Sequence, residues 1–78
     1  MLKFILKEET AEKVVYEYFP EGGTEAGIVS YDKETNKCSI ITLPKTDKHQ
    51  IYAQKMFSKI RKYASINSFE RKGTVAWY

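Results

Sequence analysis

The longest ordered pattern of apolar and polar positions runs from Asp47 to Ser65, DKHQIYAQKMFSKIRKYAS. Ala53, Met56, Phe57, Ile60, Tyr63 and Ala64 recur there at three- and four-residue steps, which a helical period gathers into one apolar stripe facing a core. The spacing predicts a helix over residues 48–65. Asp47 is suited to cap it, because its carboxylate can accept from the free amides of the first turn, and Gln50 three residues later completes a capping-box pattern. Pro44 stands before the start, where it cannot interrupt the helix. The opposite side carries Lys48, Lys55, Lys59, Arg61 and Lys62, and no acid follows Asp47 before Ser65. That side is uniformly basic, and its last cations complement the negative end of the helix.

Elsewhere the period is two. Leu2, Phe4 and Leu6 alternate with Lys3, Ile5 and Lys7, predicting a first strand that Glu8 to Glu12 bring to an end. VVYEYF, Val14 to Phe19, is rich in β-branched and aromatic residues and stops at Pro20, Gly22 and Gly23. GIVSYD (Gly27 to Asp32) and KCSIITL (Lys37 to Leu43) predict a second hairpin around the polar loop Lys33, Glu34, Thr35 and Asn36. Beyond the helix and an irregular link, TVAWY, Thr74 to Tyr78, predicts a fifth strand.

Strand direction gives the topology. Four strands in a meander alternate in direction, the helix returns over the sheet, and the fifth strand then runs antiparallel to the first. A helix of about 27 Å is long enough to cross four strand spacings of about 4.8 Å on a diagonal. The expected fold is α+β: a single antiparallel five-stranded sheet, β-β-β-β-α-β, of order 5-1-2-3-4, with one helix on one face. The alternative sets the fifth strand parallel to the fourth. Either way one face stays uncovered, although several strands look apolar on both sides. Val14, Tyr16 and Tyr18 oppose Val15 and Phe19; Ile40 opposes Ile41 and Leu43; Val75 and Trp77 oppose Ala76 and Tyr78; Ile5 and Ile28 add to the uncovered side. Exposed apolar patches of several hundred Å² mark contact sites, and a tyrosine suits a half-wet surface, with an apolar ring and a polar tip. Tyr16, Tyr18 and Tyr78 are therefore the expected partner-binding residues of the uncovered face.

A chain of 78 residues makes one domain, residues 1–78, near the size at which one core supplies only about 3 to 5 kcal/mol. Cys38 is the sole cysteine and His49 the sole histidine. An internal disulfide and a Cys/His zinc site are both ruled out, and a reducing cytoplasm is the expected setting. The apolar run Phe4, Ile5, Leu6 is too short for a signal sequence, and no run approaches the roughly 18 apolar residues that span a bilayer. No membrane association is expected.

The net charge of +3 hides a strong asymmetry. Residues 1–34 hold eight acids against four lysines, a net of −4, while residues 35–78 hold nine bases against two acids, a net of +7. Lys55, Lys59, Lys62 and Arg71 form the strongest basic footprint, of the kind that meets phosphate backbones with salt-sensitive affinity. Lysine outnumbers arginine, so bidentate base readout has few candidates.

Catalytic and cofactor motifs are weak. EGGTEAG, Glu21 to Gly27, is the one glycine cluster, but Ile28 and Val29 follow it where a phosphate loop needs Lys and Ser/Thr, and its two glutamates repel phosphate. Asp32, Glu34 and Asn36 open like a calcium loop, yet Lys37 replaces its glycine and Leu43 its closing acid. His49 has no evident partner for general-base work, which leaves a small hydrolase the weakest reading. Cys38, inside a strand, reads as a small packed side chain. The residues thus point to no catalytic site, no metal and no cofactor.

The segments VVYEYFPEG, GIVSYDKET and KGTVAWY together resemble a group of small bacterial and prophage-associated proteins that combine Y-x-Y-x-P-E-G, G-I-V-S and a terminal V-A-W-Y. The matching residues are Tyr16, Tyr18, Pro20, Glu21 and Gly22, then Gly27 to Ser30, then Val75 to Tyr78. The group has no assigned activity, so the resemblance implies a setting and no site residues. The leading functional expectation is a non-enzymatic module binding a protein partner or a second copy of itself through the uncovered sheet face. The alternative is nucleic-acid binding by the basic helix.

Overall fold

The computed structural model describes residues 2–21 and 23–75. Its elements are β1 (Leu2–Glu9), β2 (Lys13–Pro20), β3 (Gly27–Asp32), β4 (Lys37–Thr42), a 3-10 turn (Lys45–Asp47), α1 (Ile51–Ser65) and β5 (Lys72–Val75). The five strands form one antiparallel sheet of order β4-β3-β2-β1-β5, the expected topology. β5 is antiparallel to β1, with Leu2 opposite Val75 and Ile5 opposite Lys72, which removes the alternative beside β4. The last three residues expected in this strand, Ala76, Trp77 and Tyr78, lie outside the described residues.

Local chemistry closes each turn. Thr10 Oγ1 accepts from the amides of Glu12 and Lys13 at 3.1 and 3.0 Å, closing the β1–β2 hairpin. Asp32 Oδ1 accepts from the amides of Glu34 and Thr35, and Asn36 takes the left-handed conformation (φ 59°) that an asparagine tolerates in a turn. The would-be calcium residues are therefore the scaffold of the β3–β4 hairpin. β1 runs on to Glu9, past the expected end, through a bulge between Leu6 and Glu8.

The helix begins three residues after the expected start. Gln50 adopts a left-handed conformation (φ 60°) and makes no side-chain cap, so the capping box does not form. Asp47 still serves as the cap, from a distance. Its carboxylate accepts from the amides of Tyr52 and Ala53, both at 2.8 Å, reaching back across the Lys48–Gln50 turn.

The core lies between α1 and one sheet face. Ala53, Met56, Phe57 and Ile60 are buried against Leu2, Phe4, Val14, Tyr16, Tyr18, Val29 and Tyr31. Register organises the layer: Phe4 stands opposite Tyr18 and Leu6 opposite Tyr16. Phe4 meets Tyr16 edge-on, with centroids 5.5 Å apart, and Tyr63 closes over both rings. Outside this pair the neighbouring strands supply glycine. A Cβ on Gly73, opposite Phe4, would stand 2.7 Å from that ring, and one on Gly27, opposite Tyr18, only 2.3 Å from its ring. The two aromatics spread over these bare positions, which a side chain would close.

Candidate interaction surface

The expected tyrosine patch is not on the open face. Tyr16 and Tyr18 are both 0% exposed and sit beneath the helix; Tyr78 lies outside the described residues. The correction has a polar cause. Each phenol reaches a partner at one end of the helical segment, Tyr16 donating to the Glu70 carbonyl at 2.6 Å and Tyr18 to Asp47 Oδ2 at 2.9 Å. A tyrosine whose hydroxyl is satisfied can bury its whole ring, so these side chains are core residues that tie the sheet to both ends of α1. Burial is the main force raising both phenol pKa values above the ordinary range, with the hydrogen bond to Asp47 adding to it at Tyr18. Asp47 itself is 2% exposed. Three donors surround its carboxylate.

Among the described residues the opposite face carries no helix. Lys3 and Ile5 of β1, Val15, Glu17 and Phe19 of β2, Ile28 and Ser30 of β3, and Lys72 and Thr74 of β5 share it by register. It mixes apolar and polar residues, where the sequence pattern predicts a broad apolar patch. At its centre Glu17 stands between Ile5 and Ile28 across the strands and between Val15 and Phe19 along its own. Ile5 is 48% exposed, Phe19 and Ile28 are half-buried, and Val15 is only 7% exposed. Beside it Glu8, its cross-strand partner, meets Lys13 at 3.8 Å. Glu17 is half-buried and has no hydrogen bond or ion pair among the described residues. A hollow of about 570 Å³ on this side is lined by Lys3, Ile5, Phe19, Gly73 and Thr74 among others.

The basic residues divide. Lys55, Lys59 and Lys62 follow one flank of α1 at four- and three-residue steps, with Lys59 Nζ 5.4 Å from the Tyr63 ring centroid. Arg61 projects from the other flank, toward Cys38. Arg71 does not extend the stripe. It lies ahead of β5, where its carbonyl accepts from the Leu6 amide at 2.6 Å, and it lines a groove with Glu8, Glu9 and Phe69 along the part of β1 that β5 does not reach.

Cys38 is half-buried on β4, which raises its thiol pKa, partly offset by Arg61. His49 is exposed in the turn before α1. Glu21 accepts from the Tyr52 hydroxyl and Glu25 from the Lys45 amide, so the acids of the glycine-containing loop hold it against the start of the helical segment. Among the described residues no three His, Cys, Asp or Glu side chains come together as metal ligands, and no helix is long and apolar enough to cross a membrane.

Sequence would have found the open face only through register. Once Phe4 is set opposite Tyr18, the alternating rule carries Ile5, Glu17 and Ile28 into one row on the other side. No family model, curated protein or solved structure matches the chain. The functional reading therefore rests on geometry.

Proposed function

We propose that this chain is a small, non-enzymatic interaction module that binds a protein through its open sheet face. The observation that carries the reading is the cluster Ile5, Val15, Phe19 and Ile28 around a half-buried Glu17, without a partner among the described residues, on the face that α1 leaves bare. An apolar centre within a polar margin is the anatomy of a protein interface, and a carboxylate at its centre favours a cation on the partner. Capture from native lysate, with and without nuclease, tests it. The expected result is a nuclease-resistant protein complex or self-association that Ile28→Lys abolishes while circular dichroism stays unchanged. Complexes indifferent to Ile28→Lys would overturn it.

A second reading, nucleic-acid binding, is favoured by one observation: Lys55, Lys59 and Lys62 share a helix flank in an element without a single acid. Three phosphate contacts give a slope of about −3 in log affinity against log salt. Retention on heparin at low salt, weakened by Lys55→Ala and Lys62→Ala together, supports this reading; passage without retention ends it.

A further inference from the structure

On the open face, two paired rows form a four-residue figure. Lys3 stands opposite Phe19, and Ile5 opposite Glu17. One diagonal, Ile5 to Phe19, is apolar; the other, Lys3 to Glu17, joins opposite charges. The two charged residues do not meet within the chain, and neither has an ion-pair partner among the described residues. Diagonal neighbours on a sheet stand about 7 to 8 Å apart, within reach of long side chains, yet here the two charges stay apart, each beside apolar neighbours. An unpaired charge in such surroundings loses hydration when the face is covered by apolar surface, and gains when it is covered by its opposite.

This figure is self-complementary. A two-fold axis laid along the Ile5–Phe19 diagonal places Ile5 on Ile5 and Phe19 on Phe19 of the other copy. It also sets Glu17 of each copy over Lys3 of the other. That is an isologous contact, closed by its own symmetry, and the strands of the two copies cross at a large angle, the orthogonal mode of sheet packing. Size permits it. The molecule measures 30 × 22 × 18 Å, so the largest face it can offer approaches the roughly 800 Å² per partner of a standard interface.

Resting on the reading of the open face as a contact surface, we propose that its occupant is a second copy of this chain, stacked face to face with reciprocal Glu17–Lys3 pairs around an Ile5 and Phe19 centre. Sedimentation of the full chain from about 10 μM to 1 mM spans the range in which a modest interface begins to hold. The expected result is a concentration-dependent dimer that Glu17→Lys and Lys3→Glu each weaken about tenfold or more. An equimolar mixture of those two variants, and the Glu17→Lys/Lys3→Glu double variant, regain the dimer, because each again sets opposite charges together. Circular dichroism of every variant confirms the fold, both positions being on the surface.

A dimer indifferent to either reversal overturns the proposal, as does a wild-type chain that stays monomeric throughout. A monomer whose captured protein partner is lost with Ile28→Lys defeats the second-copy inference and leaves the interaction surface standing. Absence of both a dimer and an Ile28-dependent partner defeats the two together.

Discussion

The two faces of β2 are made from adjacent residues of one strand, yet they perform different tasks. Val14, Tyr16 and Tyr18 point to the helix and are fully buried, while Glu17 and Phe19 point away and remain half-buried. The covered side contains the more polar aromatics. What separates them is whether a hydroxyl finds a partner as the helix descends: the Glu70 carbonyl and the Asp47 carboxylate meet Tyr16 and Tyr18, whereas nothing among the described residues meets Glu17. Polarity alone does not exclude a residue from a core. An unsatisfied polar atom does.

That contrast is broken most severely at neighbouring positions of β1. Phe4→Ala removes a buried ring and is expected to cost about 4 kcal/mol, most of the stability of a domain this size. Ile5→Ala, one residue along and on the open face, is expected to cost under about 1 kcal/mol, since the side chain is already half in water. Urea unfolding of the two variants, read by midpoint, checks the difference; equal losses would mean that the open face is covered within the monomer.

Asp47→Ala is next, at about 3 kcal/mol, because it removes the cap of α1 and leaves the Tyr18 hydroxyl buried without its acceptor. Asp47→Asn, which keeps an acceptor oxygen, is expected to recover part of that loss in thermal unfolding. Gly27→Ala is expected to cost about 2 kcal/mol, since its methyl must displace the Tyr18 ring from its place beside Asp47. A loss near zero would show that the ring moves freely.

A small effect is also the most diagnostic. Tyr16→Phe is expected to cost about 1 kcal/mol at neutral pH and to change the alkaline limit of stability. With both phenol pKa values raised in the fold, the folded chain holds protons that the unfolded chain releases above about pH 10. The share due to these two phenols is intact below that pH and falls as pH rises beyond it, by about 1.4 kcal/mol per unit for each tyrosine. Tyr16→Phe should remove one tyrosine's share of that slope, with Tyr18, Tyr52, Tyr63 and Cys38, all raised as well, keeping the rest. Unfolding midpoints measured between pH 9 and about 11.5 decide it.

Much of the architecture was legible in advance because it depends on short-range patterns. Four of the strands, the Lys33–Asn36 loop, the apolar stripe of α1 and the sheet order follow from periods of two and 3.6 and from alternating strand direction. Boundaries were less legible. Gln50 in a left-handed conformation delays the helix in a way no capping pattern signals, and Glu8 and Glu9 extend β1 because a bulge and strand pairing outweigh their poor β-propensity. The grouping of Arg71 with Lys55, Lys59 and Lys62 failed because the link after α1 carries Arg71 to the sheet edge, beside Glu8 and Glu9.

The amino-acid order by itself determined that β2 has two faces, that one amphipathic helix is available to cover a sheet, and that cations concentrate on that helix. Which face the helix covers was decided only in three dimensions. Alternation along a strand is symmetric between its sides, so the choice falls to contacts between distant segments: Phe4 opposite Tyr18, and hydroxyl partners 54 residues beyond Tyr16 and 29 beyond Tyr18. Those partners admit the tyrosines to the core and leave Glu17, with its ring of apolar neighbours, facing outward.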